Sequence, residues 1–297
     1  MHQRHAPVPP GPAFRFPLHP FLDPHIIPSH HRLETHLYST IVLRHAGHTA
    51  RFLACLHQRT QYRAFAASRI ASLCISQRVP LSLAQHVLSL CTGTSNVALW
   101  VAPNTDAPKV LEPLLDKMPL RRMSVNLSTL LVHPGASGGG GEGGTAVGDE
   151  GGAEVKRPYG LATHPLFARL SHLDIVNHWA LWTSTLGLER LPNLTHVSFR
   201  FWARGNVGAA LRLLLGECER LEVLVLLSDK VVVPMAQKYL ESEGVCDPRV
   251  VVMLYTSDAE SWEELQRGGM GAWEKAERIV RWRRRTGAGP YTLPEDA

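Results

Sequence analysis

Two short segments hold the side chains best suited to chemistry. Ser171-His172-Leu173-Asp174 and Thr195-His196-Val197-Ser198 start 24 residues apart, and each ends in an alternation of polar and apolar residues. If both are strands, His172, Asp174, His196 and Ser198 leave the same face, because successive side chains of a strand point to opposite sides. Adjacent strands lie about 4.8 Å apart, so His172 should stack on His196, with Asp174 beside Ser198. A serine, a histidine and an aspartate within reach are the parts of a hydrolase triad. A triad also needs an activated, exposed nucleophile and an oxyanion hole. Ser198 sits in His-Val-Ser-Phe-Arg and not in the Gly-x-Ser-x-Gly elbow that presents such a nucleophile. The hydrolase is therefore the remote reading, and no residue is given a catalytic role. The favoured reading is a polar surface for a partner, with Arg122, Ser124, Asn126, His172, Asp174, His196, Ser198 and Arg200 as contacts.

Other residue groups suggest chemistry and then fail a spacing test. Ten of the 16 histidines lie in residues 1–60, but they lack cysteine or acidic partners at ligand spacing. No metal site is expected, and no cofactor. Ten of the 18 residues from Gly135 to Gly152 are glycine. A phosphate loop would need a lysine at its end; this run has none, and its charges are Glu142, Asp149 and Glu150. The five cysteines (55, 74, 91, 218 and 246) form no Cys-x-x-Cys pair, which reads as reduced, buried, intracellular cysteine. Arg278, Arg281, Arg283, Arg284 and Arg285 make the strongest basic cluster. Its plain reading is a terminal helix that packs Trp273, Ala276 and Val280 on the last repeat and leaves the arginines in water. Its functional reading is nuclear import or an acidic partner.

The elements that position these residues come from a repeat. The pattern apolar-x-x-apolar-x-apolar starts at Ile70, Thr94, Leu120, Leu170, Leu194 and Leu221, and a last copy runs through Val250, Val252 and Leu254. The starts are spaced by 24, 26, 50, 24 and 27 residues, and the gap of 50 contains the glycine run. Helical periodicity lies between several copies: Leu83, Val87, Leu88 and Cys91 share one face, as do Val110, Leu111, Leu114, Leu115 and Met118, and Val207, Ala210, Leu211, Leu214 and Leu215. Further upstream, Leu37 to Leu43 alternates like a strand and His48 to Ala66 reads as one helix. A strand plus a helix every 24–28 residues is the mark of an α/β, leucine-rich-repeat-like right-handed solenoid, with parallel strands on the concave face and helices on the convex one.

The runs Arg-Ile-Ala-Ser-Leu-Cys-Ile-Ser (69–76), His-Pro-Leu-Phe-Ala-Arg-Leu-Ser-His-Leu-Asp-Ile (164–175), Leu-Pro-Asn-Leu-Thr-His-Val-Ser-Phe (191–199), Cys-Glu-Arg-Leu-Glu-Val-Leu-Val-Leu-Leu (218–227), Asp-Pro-Arg-Val-Val-Val-Met-Leu (247–254) and Trp-Glu-Lys-Ala-Glu-Arg-Ile-Val (273–280) add a resemblance. In order and spacing they resemble F-box/leucine-rich-repeat-like proteins of mushroom-forming (basidiomycete) fungi, over about residues 35–285. The resemblance implies a substrate receptor whose repeats hold a target and whose N-terminal F-box docks a ubiquitin-ligase adaptor. Residues 1–60 carry no recognisable F-box, so the resemblance covers the repeat half of that function.

The organisation expected is a Pro/His-rich irregular arm (1–32), a solenoid of about seven units (33–285) interrupted by a disordered glycine-rich insertion (135–157), and a tail (286–297). Seven prolines in the first 24 residues set the first boundary. A net charge of +5 is too weak to imply nucleic acid. With no signal peptide and no apolar stretch of membrane length, the expected location is cytoplasm or nucleus. The expected function is non-catalytic protein–protein interaction with another protein, and neither a membrane nor nucleic acid as partner. The alternative is a nuclear or nucleic-acid-associated scaffold that uses the basic helix.

Overall fold

Apolar residues at alternate positions of the repeats fix the strands. The computed structural model describes residues 34–130, 161–178, 187–201, 207–229, 233–255, 260, 262–264 and 269–294. The arm expected at 1–32, the insertion expected at 135–157 and the end of the tail lie outside these residues. The strands are β1 (Thr40–Leu43), β2 (Ser72–Ile75), β3 (Asn96–Leu99), β4 (Arg122–Val125), β5 (His172–His178), β6 (His196–Arg200), β7 (Val223–Ser228) and β8 (Val250–Leu254). They form one eight-stranded sheet in strict sequence order, and every pair is parallel. The fold is thus α/β with an all-parallel sheet.

The helices between the strands are α1 (Ala46–His57), α2 (Tyr62–Arg69), α3 (Leu81–Leu90), α4 (Ala107–Leu115), α5 (Leu127–Leu130), α6 (Pro165–Ala168), α7 (Val207–Glu217) and α8 (Val233–Ser242). Connections between adjacent parallel strands are right-handed. A sheet laid down in one direction therefore collects its connecting helices on one face. That face is a single apolar core: Leu73, Ile75, Val97, Leu99, Met123, Val125, Leu173, Ile175, Val197, Phe199, Leu224 and Leu226 meet Leu53, Val87, Leu111, Leu211 and Leu240 of the helices. Each such side chain contributes about 1.5–3 kcal/mol on burial, and neighbouring repeats share the gain.

The backbone repeats as strictly as the core. Ser95 and Asn96 both donate their amides to the carbonyl of Ala71, and the same forked bond recurs from 121/122 to Ser95, 171/172 to Arg121, 195/196 to Ser171 and 222/223 to Thr195. Side chains reinforce it one repeat apart: Thr94 Oγ1 donates to the Ile70 carbonyl at 2.8 Å and Thr195 Oγ1 to that of Ser171 at 3.0 Å.

Several expectations need correction. Residues 34–39 are helical, so β1 begins at Thr40. The helix expected over 48–66 is two helices, broken at 58–61 where Gln58 caps α1. Cys74, Cys91 and Cys218 are buried as expected, but Cys55 and Cys246 are exposed. The largest difference concerns α9 (Ala272–Thr286). It packs on the other face of the sheet, setting Ala276, Ile279 and Val280 against Val223, Val225 and Val251. It ends at Gly287, whose φ of 68° is the left-handed cap conformation that glycine adopts at least cost. The arginine cluster is not all in water. Arg278, Arg281, Arg284 and Arg285 are exposed, but Arg283 is buried. It donates to the carbonyls of Val250 (2.6 Å), Pro248 (3.3 Å) and Thr292 (2.9 Å), and burial pushes its pKa down to about 10.

Candidate functional site

The face under α9 carries two rows of side chains set by the strand register. One row runs Thr40, Ser72, Asn96, Arg122, His172, His196 and Val223; the other runs Val42, Cys74, Ala98, Ser124, Asp174, Ser198, Val225 and Val251. Seven of the eight expected contact residues lie in these rows or continue them, as Arg200 does beyond Ser198; Asn126 lies just past the end of β4. An open row was expected, and this is corrected. Ser124, His172, His196, Ser198 and Arg200 are buried, and α9 lies against the two histidines through Trp273 and Glu277.

His172 and His196 stack at 4.0 Å between ring centroids and 4° between planes. Trp273 of α9 meets both rings edge-on, at 5.5 and 5.6 Å. Their Nδ1 atoms face the hydroxyls of the preceding residues, Ser171 at 2.9 Å and Thr195 at 2.8 Å. Each hydroxyl has one proton, and each directs it at a backbone carbonyl, of Arg121 and Ser171 respectively. With those bonds made, each hydroxyl keeps a lone pair for an Nδ1–H. The tautomer that fits this arrangement carries its proton on Nδ1 and presents a lone pair at Nε2. His172 Nε2 is buried and has no hydrogen-bond partner among the described residues. His196 Nε2 faces Glu277 Oε1 of α9 at 3.1 Å.

The electrostatics follow from burial. It pushes His172 down to about 3, helped by the neighbouring charges of His196 and Arg122. It also lowers His196, against the opposite pull of Glu277 and Glu222. Burial thus favours the neutral form of both rings. A neutral lone pair aimed at a carboxylate is repulsive unless a cation lies between them.

Beside the histidines lies a second polar group. Trp100 Nε1 donates to Ser124 Oγ at 2.8 Å, and Ser124 donates to Asp174 Oδ2 at 2.6 Å. Asp174 Oδ1 makes no hydrogen bond among the described residues. The Arg200 guanidinium stacks on Tyr255, 3.7 Å from the ring centroid; burial lowers its pKa while Asp174 opposes that. These groups border a cavity of about 320 Å³ roofed by Trp262 and Trp273. Ion pairs join roof to sheet, Arg122 to Glu274 at 3.3 Å and Arg44 to Glu263.

The arrangement is not that of a triad. His196 Nδ1 faces Thr195 and its Nε2 faces Glu277, His172 Nδ1 faces Ser171, and neither ring makes a hydrogen bond to Ser198 among the described residues. The structure gathers instead two histidines and Glu277, whose possible ligand atoms lie within 4.8 Å of one another. The histidine pair was legible from the repeat. Glu277, Glu274, Trp273 and Trp100 were not assigned; the visible signal was the helix stripe Trp273, Ala276, Val280, on which Glu277 lies one turn after Trp273. Among the described residues, no helix is long and apolar enough to cross a membrane. Comparison with protein-family models, with curated proteins and with solved structures found no match to the chain.

Proposed function

We propose that this protein is a non-catalytic interaction module of leucine-rich-repeat-like, right-handed solenoid form, and that it holds another protein on the face opposite helices α1–α8. The observation that carries the reading is the row Thr40, Ser72, Asn96 and Arg122. It is polar, in register on four adjacent strands and half-buried at the mouth of the cavity. The helix-side positions beside it hold only apolar residues. A frame kept constant on one side and varied residue by residue on the other is how stacked repeats build a composite binding surface. α9 takes up the His172–Val223 end of the same row, so the partner reads the β1–β4 end.

By family resemblance the partner is a substrate presented to a ubiquitin ligase, with the adaptor docked elsewhere on the chain; this step is analogy between folds. The test is affinity capture of the tagged protein from its native cells, wild type beside Ser72→Arg/Asn96→Arg, with mass spectrometry of what is retained. The double variant fills the row without touching the helix-side core, and an unchanged melting temperature checks that it folds. The reading expects a partner retained by the wild type and lost with the variant. Equal retention places recognition elsewhere, and the adaptor and cullin among the retained proteins support the receptor form.

A further inference from the structure

We propose that His172, His196 and Glu277 form a binding site for one divalent transition-metal ion, with Zn2+ the best match, and that this ion fastens α9 to the sheet. The site goes beyond the interaction reading and stands whether or not that reading holds.

The donor set is built on three elements. β5 and β6 supply one imidazole each at directly paired positions, and α9 supplies the carboxylate. The orienting groups are already in place. The Ser171 and Thr195 hydroxyls lie within hydrogen-bond distance of Nδ1 of the two rings and can accept from it while donating to backbone carbonyls; that tautomer leaves Nε2 free to ligate. Metal-bound histidines almost always have such an acceptor behind them, and it raises the basicity of the ligating nitrogen. The surroundings call for a cation. The His172 Nε2 lone pair is buried with no hydrogen-bond partner among the described residues, and the His196 Nε2 lone pair lies 3.1 Å from a carboxylate oxygen. A metal ion satisfies all three donors at once. A proton shared between His196 and Glu277 would leave His172 unsatisfied.

Two imidazoles and one carboxylate match zinc, with Zn–N distances of about 2.0–2.1 Å and a fourth position for water. Hard cations such as Mg2+ and Ca2+ prefer oxygen donors. Tetrahedral donors at those lengths are about 3.3 Å apart, whereas the three atoms here lie within 4.8 Å of one another. Closure therefore draws the donors together by up to about 1.5 Å and turns the rings out of their parallel stack. The stack leaves the rings 4.0 Å apart, and a metal ion bound at Nε2 must lie near the plane of each ring.

The test uses the full chain stripped with a chelator. Zinc stoichiometry and affinity are measured by calorimetry for the wild type, His172→Gln and Glu277→Gln, with Mg2+ as control. Histidines of residues 1–60 bind equally in all three proteins, so the site appears as a difference. The wild type is expected to bind one equivalent more than either variant and to melt at a higher temperature with zinc but not with Mg2+. Glu277→Gln is informative because its amide can donate to His196 Nε2; without metal it should melt no lower than the wild type. Thr195→Val, which removes the orienting hydroxyl, should bind zinc about 10–100-fold more weakly. Equal stoichiometry in the wild type and Glu277→Gln overturns the site, as does a metal-free Glu277→Gln that melts lower while zinc has no effect on the wild type. If a variant fails to fold, one equivalent of Co2+ on the wild type decides. An intense tetrahedral d–d spectrum supports the site, and only the faint six-coordinate spectrum overturns it.

Discussion

The two faces of the same eight strands obey different rules. On the helix side, the residue at a given register position hardly changes character from strand to strand: Leu73, Val97, Met123, Leu173, Val197, Leu224 and Val250 are all apolar and buried. On the other side the paired positions pass from Ser72 and Asn96 through Arg122, His172 and His196 to Val223. The first face meets the same kind of helix at every step, so one chemistry suffices. The second lines a cavity that reaches from β1 to β8, carries a polar cluster at β5–β6 and meets the apolar stripe of α9 at β7–β8. Regularity marks what builds the fold; the second face changes character along the sheet because what lies over it changes.

Substitutions on the two faces should therefore separate widely. The largest effect is expected on the helix side. Leu173→Asp puts a charge where no solvent reaches, a penalty of at least about 4 kcal/mol, and the chain should lose its cooperative urea transition. Retention of that transition would break the comparison, because the regular face would then not be the shared core.

The next effect belongs to the buried arginine that anchors α9. Arg283→Met leaves the carbonyls of Val250, Pro248 and Thr292 without their donor and should lower stability by about 2–3 kcal/mol. Tryptophan emission should shift to the red as Trp273 comes free, while far-ultraviolet dichroism stays largely intact. Arg249, near the same end of the sheet, offers a contrast. It reaches the carbonyls of Leu215 and Leu221 and is paired with Asp247 at 2.7 Å. Burial raises the Asp247 pKa, and the Arg249 bonds outweigh this and hold it below the ordinary aspartate range. That stability is present above the unfolded aspartate value of about 3.9 and is lost as pH falls through the lower folded value. Asp247→Asn should cost about 1 kcal/mol at pH 7, a figure reduced because the pair is partly exposed, and the deficit should narrow in melts taken below pH 4.

The smallest effect is expected in the open half of the polar row. Asn96 donates to Ser72 Oγ at 3.0 Å at the cavity mouth, and Asn96→Ala should change stability by about 0.5 kcal/mol or less. A larger loss in chemical denaturation would show that the variable face is structural at this end too, and would weaken the case for a recognition surface there.

Much of this was legible in the residue order. The spacing of the repeats gave every strand from β2 to β8 and the pairing of His172 with His196 and Asp174 with Ser198, because a period-2 strand inside a fixed repeat leaves little freedom of register. The start of β1 and the break at 58–61 were not legible, since short alternating and helical patterns overlap there. The placement of α9 was half-written. Val223 to Leu227 and Val250 to Met253 are continuous apolar runs, the sign of strands covered on both faces, whereas β4 to β6 alternate. That pattern asks for a cover over β7–β8 without naming it.

By itself, then, the sequence determined the period, the strands and the side of the sheet on which each side chain stands, all of which follow from the local geometry of the chain. The tertiary structure alone decided which element covers the second face. It brought Glu277 to His196 across 81 positions and turned Arg283 from an apparent surface charge into a buried anchor. Such meetings depend on where a helix lands after the sheet is complete, and no local periodicity records that.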